Sequence, residues 1–262
     1  MADPTASALR SVRATRYVTA LREGGSMPGL VEADDDGLYV VKFRGAGQGL
    51  KALIAEVIVG EVARALGLRV PEIVLVEVDP LLAAAEPDPE IQELVEASGG
   101  SNAALDFLPG ALPFSPAAPV GVTEELAAAI VWLDALTANV DRTPRNPNML
   151  IWHGELWLID HGAALYRHHA ATWPDGAAAA TFPLIADHVL LPFAGSIAAA
   201  DERLAPRLDR VTLEHIVAAV PDDWLGDDAA FARESYVDHF AERLAAPRAF
   251  AAEAEEARRA IA

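Results

Sequence analysis

The sequence contains no cysteine, which excludes disulfide frameworks, thiolate zinc sites, cysteine nucleophiles and iron–sulfur clusters. Lysine is almost absent too, because 18 of the 20 basic residues are arginines and the other two are Lys42 and Lys51. No run of about 18 apolar residues occurs, and the N-terminus lacks the apolar core of a signal peptide. We therefore expect a cytoplasmic protein without a membrane partner.

Positive charge is scarce as well. The 262 residues include 39 acidic side chains, and the formal net charge is −19. Because such a field repels phosphate, we expect no direct nucleic-acid partner. The hydrophobic content of 52 % and the charged content of 23 % are those of an ordinary globular protein, long enough for one large domain or two lobes.

The first part of the chain predicts a small β-rich unit, preceded by a flexible tail at residues 1–9. An acidic turn at residues 34–37 separates two β-rich runs, which is typical of a hairpin. Apolar residues then recur every three or four positions from Gly49 to Leu66, which predicts a helix. Three further segments complete this part: a strand between Pro71 and Pro80, an acidic alanine-rich helix within 81–100, and a last strand at 103–111.

The second part predicts mostly helices. Thr123 is a suitable N-cap for the first of them. One compact β segment interrupts the helices at residues 148–160, and residues 168–183 predict a long irregular loop. Because strands precede helices and no internal repeat is visible, the order favours two lobes over a βαβ repeat.

Lys42 lies inside a short apolar strand. Alternation places it on the face opposite Tyr39 and Val41. A lysine in this position either lies at an exposed sheet edge or points at an anion in a cleft. Glu56, on the following helix, can return its carboxylate to Lys42 and hold the ammonium where it binds phosphate oxygens.

The neighbouring stretch GAGQGLK (45–51) offers a competing phosphate site. The dinucleotide pattern requires glycine where Leu50 stands, and the Walker pattern requires four residues between its glycines, whereas three separate Gly45 from Gly49. Lys51 is followed by Ala52 and not by Ser or Thr. We therefore discount this loop as a phosphate cradle.

The strongest signal is the block NVDRTPRNPNMLIWHGELWLIDHG (139–162). Asp141 and Asn146 are five apart in a segment with two prolines, so the segment cannot be helical and its polar side chains can converge. Asp160 follows the hairpin directly. Turn formation or capping explains each residue singly. Jointly they match a two-metal phosphoryl-transfer site, in which a carboxamide and a carboxylate bind Mg²⁺ and the first carboxylate orients the attacking hydroxyl.

The order of glycine-rich loop, strand lysine, helix glutamate, Pro-Gly hinge, D-x4-N, hairpin and D-x-G resembles the protein-kinase-like fold. The motifs NVDRTPRNPN and IDHG are most similar to those of the HipA-like kinases, and more distantly to those of phosphatidylinositol 3-/4-kinases. The resemblance covers about residues 20–190 and implies an α+β fold with two lobes. A small β-rich N-lobe with one helix would span 10–105, a hinge 106–111, and a mostly helical C-lobe 112–262.

The resemblance also implies roles for the matching residues. Lys42 would bind the α- and β-phosphates of ATP, Glu56 would pair with Lys42, and Asp141 would be the catalytic base. Other nucleotide contacts would come from a loop over the phosphates and from the hinge beside the adenine. These residues are Gly24, Gly25, Ser26, Asp106, Phe107 and Leu108.

The metal ligands implied by the resemblance are Asn146 and Asp160. Asn148 is the alternative to Asn146, because NMLI matches the usual run after the metal-binding asparagine. Two positions depart from the kinase pattern: Asn139 replaces the His of H-R-D, and His161 replaces the Phe of DFG. The chain is also shorter than the longer HipA toxins, so we do not carry over a DNA-binding antitoxin partner.

The sequence therefore predicts an ATP- and Mg²⁺-dependent kinase that phosphorylates a hydroxyl, with serine or threonine of a protein as the preferred acceptor. Two alternatives stay open. A nucleotide-binding pseudokinase would regulate a partner, but the complete set of Lys42, Asp141, Asn146 and Asp160 favours catalysis. A small-molecule kinase with a cationic acceptor would suit an acidic C-terminal lobe.

Overall fold

The first part of the chain folds as a closed five-stranded barrel. The computed structural model describes residues 9–21, 27–47 and 49–261, so residues 1–8 of the predicted tail lie outside it. The strands are β1 (Ser11–Ala20), β2 (Gly29–Ala33), β3 (Leu38–Lys42), β4 (Ile73–Val78) and β5 (Gly100–Asp106). They are paired in the order β1-β2-β3-β5-β4, and a parallel contact between β1 and β4 closes the barrel.

Lys42 is the last residue of strand β3 and therefore lies at one end of the barrel. Tyr39 and Val41 are buried on its inner side, whereas Lys42 lies on the other face, as alternation predicted. The turn before β3 forms the predicted hairpin with β2. Antiparallel pairing with β5 places Lys42 beside Ala103. Lys42 therefore leaves the barrel at the end of a strand that is paired on both sides.

Helix α1 (Gly49–Ala65) follows the predicted bounds within one residue. Its apolar spacing buries Leu53, Val57 and Ile58. Gly67, at φ +81°, ends the helix in the left-handed conformation that favours glycine after a helix C-terminus. The helix is buried along most of its length and leads Glu56 back toward β3.

The segment between β4 and β5 corrects two predictions. It contains a 3-10 helix (Pro80–Ala85) and α2 (Pro89–Glu96), so a helix does lie within 81–100 as predicted, but α2 is a second α-helix in addition to α1 and the prediction of an N-lobe with one helix was wrong. Asp88 caps α2 by accepting a hydrogen bond from the backbone N–H of Glu90. The predicted strand 103–111 was also wrong in its bounds, because β5 begins at Gly100 and ends before Pro109, which has no N–H for a β-ladder.

The second part combines helices with one small sheet, as predicted. Helix α3 (Glu124–Thr137) begins after Thr123, whose hydroxyl accepts a hydrogen bond from Leu126 N at 3.1 Å. The sheet consists of β6 (Leu112–Pro113), β7 (Met149–Trp152) and β8 (Glu155–Leu158). Further helices of the described chain are α4 (Ile197–Leu204), α5 (Arg210–Ala218), α6 (Ala229–Leu244) and α7 (Ala249–Ile261).

Buried apolar side chains form two clusters. The smaller one fills the barrel, with Val41 and Val76 among its members. The larger one joins α1 and the outer side of β4 and β5 to the helices of the second part, including Ile58, Ile73 and Trp132. Helix α1 is therefore packed between the barrel and the C-terminal helices. None of the described helices is both long and apolar enough to cross a membrane.

Candidate active site

Lys42 lies between two carboxylates. Its Nζ is 2.5 Å from Oε2 of Glu56 and also contacts Oδ1 of Asp160. The side chain of Lys42 is 12 % exposed and that of Glu56 is 1 % exposed. The strand lysine and helix glutamate predicted to pair are thus in contact, and a residue 118 positions away joins them.

Burial and charge act against each other in this trio. Burial lowers the pKa of Lys42, but the two carboxylates outweigh it and the pKa is raised, so the ammonium is retained. Burial raises the pKa of Asp160, but the ammonium outweighs it and the pKa is lowered. Burial also raises the pKa of Glu56, and here Lys42 offsets only part of the effect. The site thus presents a fixed cation beside an ionised, partly exposed carboxylate.

Glu56 also connects the helix to the segment that carries Asp160. Its Oε2 accepts a hydrogen bond from the backbone N–H of His161 at 2.7 Å. Its buried Oε1 has no hydrogen-bond partner among the described residues. One carboxylate oxygen therefore orients both Lys42 and the backbone next to Asp160.

Asp141 lies in a tight loop, as the two prolines predicted. Thr143 and Asn146 exchange backbone hydrogen bonds of 3.1 Å, which folds the loop back on itself. The side-chain amide of Asn146 then donates to Oδ2 of Asp141 at 2.7 Å, and that of Asn148 donates to the same oxygen at 3.1 Å. Both asparagines proposed from the sequence therefore converge on Asp141.

The hairpin brings Asp160 to the same region. Ile159 N donates to Asn148 O at 3.1 Å, which ties the end of the hairpin to the Asp141 loop. Asp160 has a φ of +55°, in the left-handed region that is sparsely populated for residues other than glycine. This backbone turn directs the carboxylate toward Lys42 and away from the β8 ladder.

The side-chain oxygens of this site that accept no hydrogen bond within the described chain are suitable ligands for a hard divalent cation. Oδ2 of Asp160 and the carboxamide oxygens of Asn146 and Asn148 accept no hydrogen bond from the described residues. Carboxylate and carboxamide oxygens are the ligands that Mg²⁺ prefers. Asn148 is buried, whereas Asn146 is partly exposed. The donor set therefore fits the metal expected from the sequence.

The predicted hinge residues lie where the barrel ends. Asp106 closes β5, and Phe107 N donates to Leu38 O at 2.9 Å. Leu108 is buried, and Trp152 of β7 donates to the carbonyl of Pro109 at 3.0 Å. These contacts fix the connection between β5 and β6. The predicted phosphate-covering residues Gly24, Gly25 and Ser26 lie outside the described residues.

One part of the site was not anticipated from the sequence. Asp134 of α3 is fully buried and accepts hydrogen bonds from three side chains: Arg142 at 2.6 Å, His188 at 2.8 Å and Asn139 at 3.0 Å. Burial raises its pKa, but the Arg142 guanidinium and His188 outweigh burial and lower the pKa to about 2. The available signal was a single acid in the apolar run AAAIVWLDALT.

Comparisons with known proteins identify the family and the fold. A family model described as HipA-like kinase matches residues 15–248. The solved structure of a Helicobacter pylori proinflammatory kinase, CtkA, has a similar fold at 15 % identity and a TM-score of 0.57, over 88 % of this chain and 94 % of CtkA. The Golgi casein kinase is similar at 13 % identity and a TM-score of 0.50, over 97 % of this chain and 73 % of that one. A structure of that kinase with Mn/ADP bound is similar to the same degree, over 74 % of its length. No curated protein has a significant sequence match to the chain.

Proposed function

The chain belongs to the HipA-like kinase family, and from that premise we propose that it is an ATP- and Mg²⁺-dependent phosphotransferase acting on a hydroxyl group. The observation that carries the proposal is the buried Lys42 ammonium held between Glu56 and Asp160, next to the Asp141 loop. We propose two lobes, with an N-lobe at 10–105, a hinge at 106–111 and a C-lobe at 112–262. The separate apolar core of the barrel supports this division.

Nucleotide binding follows from the same side chains. Lys42 binds the α- and β-phosphates, and Glu56 keeps its ammonium in place when nucleotide displaces Asp160 from it. Asp106, Phe107 and Leu108 contact the adenine, and Gly24, Gly25 and Ser26 cover the phosphates. Asp160 and Asn146, or Asn148 in its place, hold Mg²⁺, which neutralises phosphate charge when bound.

Asp141 acts on the acceptor. Its Oδ2 is held by the amides of Asn146 and Asn148, which leaves Oδ1 to accept the proton of the attacking hydroxyl. The hydroxyl oxygen forms a bond to the γ-phosphorus as the bond to the bridging oxygen of ADP breaks. The proton resides on Asp141 until it returns to solvent. The protein otherwise contributes by orienting the acceptor and ATP and by stabilising the negative charge of the transferred phosphoryl group.

We propose serine or threonine of a protein as the acceptor, and the cytoplasm as the compartment. The Golgi casein kinase, similar in fold, is named for a protein acceptor, which supports this choice. A small-molecule hydroxyl is the second candidate, because the net charge of −19 favours a cationic acceptor.

The proposal is tested by incubating the purified chain with Mg²⁺, γ-³²P-labelled ATP and dephosphorylated casein, followed by intact-mass measurement of both proteins. Asp141→Ala should lower the transfer rate by about 10²–10⁴ while ADP binding persists. Glu202→Ala, at an exposed acid of α4, is the control and should leave transfer unchanged. Binding of ADP without transfer to protein, small-molecule hydroxyl or water would indicate the pseudokinase, and failure to bind ADP would contradict the proposal.

A further inference from the structure

We propose that Asp134 is a positioning residue for phosphoryl transfer, which holds the two loops that carry Asp141 and Asp160 in register with each other. This inference rests on the proposed function of the site. Asp134 touches neither candidate carboxylate. Its effect passes through Arg142, His188 and Asn139, the three side chains that donate to it.

Both oxygens of the Asp134 carboxylate accept hydrogen bonds. Oδ2 accepts from Nε of Arg142 at 2.6 Å and from Nε2 of His188 at 2.8 Å, and Oδ1 accepts from Nδ2 of Asn139 at 3.0 Å. The side chains of Asp134 and Arg142 are completely buried and that of His188 is 2 % exposed. A buried charge with this number of partners has one stable arrangement, because each lost hydrogen bond leaves a polar group without water.

Arg142 connects Asp134 to both loops. Its Nε is used by Asp134, its Nη1 donates to the carbonyl of Asn148 at 2.5 Å, and its Nη2 lies 3.4 Å from Nδ1 of His161. The three nitrogens of the planar Arg142 guanidinium thus contact α3, the Asp141 loop and the residue after Asp160. A lysine cannot replace that geometry.

Asn139 and His188 complete the hydrogen-bonded frame, which consists of Asp134 and its three donors Arg142, Asn139 and His188. Oδ1 of Asn139 accepts from the backbone N–H of Asp141 at 3.1 Å. Nδ1 of His188 accepts from Leu190 N at 3.0 Å, so the ring proton lies on Nε2 and a neutral imidazole suffices to donate to Asp134. Val189 N also donates to the carbonyl of Arg142 at 3.1 Å. The segment after Asp160 is therefore tied to the Asp141 loop through one carboxylate.

This arrangement predicts an effect on chemistry and not on nucleotide affinity. Neither Lys42 nor Glu56 contacts Asp134, so the lysine proposed to bind the α- and β-phosphates keeps its place when Asp134 is changed, whereas the Mg²⁺ ligands proposed on the two loops move. A displacement of about 1 Å between catalytic groups costs on the order of 10² in rate. Loss of these hydrogen bonds should therefore lower kcat by about 100-fold and change the dissociation constant of ADP, measured without Mg²⁺, by less than about threefold.

The test compares conservative and disruptive variants in the full chain. His188→Gln keeps a donor toward Asp134 and should retain kcat within about threefold, whereas His188→Leu should lose about 10- to 100-fold. Arg142→Lys should lose as much as Arg142→Met, because the fork matters and not the charge alone. Asp201→Asn is the matched control, since Asp201 pairs with Arg248 and with Trp132 on the other side of α3; its kcat should be unchanged.

Two further measurements separate positioning from stability and from the proposed function. The double variant Asp134→Leu with Arg142→Met removes both buried charges. Its melting temperature should therefore be higher than that of Asp134→Asn and close to that of the wild type, whereas its kcat should stay as low as that of Asp134→Asn. Hydrogen exchange should show the amides of Asp141 and Ile159 exchanging at least about tenfold faster in Asp134→Asn, with Val41 unchanged.

Specific outcomes overturn the inference. If kcat recovers together with the melting temperature, or if His188→Gln loses as much as His188→Leu, Asp134 is only structural. If the two loop amides exchange as in the wild type, Asp134 does not hold the loops. Absence of transfer by the wild-type chain, with the exchange result as expected, would remove the proposed function and leave the frame in place.

Discussion

Lys42→Met should destabilise the chain by an amount that the surrounding contacts allow us to work out. At 2.5 Å and an effective dielectric constant of about 20, the attraction between Lys42 and Glu56 is about 7 kcal/mol, and the cost of burying both charges offsets part of it. Removal of one partner of such a buried pair costs about 3–5 kcal/mol. Unfolding of 262 residues carries an entropy of about 0.55 kcal/mol per kelvin, so the melting temperature should fall by about 5–9 °C.

The assay is urea and thermal unfolding without nucleotide. Most of the loss comes from the uncompensated Glu56 carboxylate, so the double variant Lys42→Met with Glu56→Gln should recover more than half of it. Lys51→Met is the matched control, because Lys51 is exposed and donates one hydrogen bond to the carbonyl of His168; it should cost about 1 kcal/mol or less. Equal losses for Lys42→Met and Lys51→Met, or no recovery in the double variant, would refute the pairing.

Three further predictions concern pH, metal and packing. The pKa of Asp134 is lowered to about 2, so its ionised form stabilises the fold by about 2 kcal/mol above pH 4, and this contribution is lost as the pH falls through 2. The stability difference between wild type and Asp134→Asn in urea should therefore narrow by about 1 kcal/mol from pH 7 to pH 3. Transfer from labelled ATP should stop in EDTA and return with excess Mg²⁺; transfer that persists in EDTA contradicts the metal site. A Cβ at Gly60 would collide with Cδ1 of the buried Ile73. Overpacking costs about 1–3 kcal/mol and the better helix propensity of alanine returns about 1 kcal/mol, so Gly60→Ala should cost about 0–2 kcal/mol in urea unfolding, and adding Ile73→Val should recover part of it.

The parts of the site that could be predicted from sequence are those set by local pattern and order. The three-and-four spacing after Gly49 defined α1, and strand alternation separated Lys42 from Tyr39 and Val41. The prolines between Asp141 and Asn148 excluded a helix and predicted a loop in which side chains converge. Each of these inferences depends on neighbours within a few residues, where periodicity and backbone restrictions are strong.

Features that depend on distant contacts could not be predicted in the same way. The pairing of β1 with β4 joins residues more than 60 positions apart, and no local pattern specifies it. The role of Asp134 was not anticipated, because its partners Arg142 and His188 lie 8 and 54 positions away and only tertiary packing brings them together. The acidic composition did predict a helix within 81–100, but not the break at Asp88 and Pro89, where α2 starts after a separate 3-10 helix.

The position of α1 has a consequence for control of activity. Leu53, Val57, Ile58 and Val62 are buried in the core that α1 shares with the C-terminal helices, and exposure of even half of their surface would cost several kcal/mol at about 1.5–3 kcal/mol per side chain. Ligand-driven couplings between sites are typically about 1–3 kcal/mol. An effector of ordinary strength therefore cannot tilt Glu56 away from Lys42. For the proposed kinase, we therefore expect turnover to follow the supply of nucleotide and acceptor, and an inhibitor to act by binding at the Lys42 site itself.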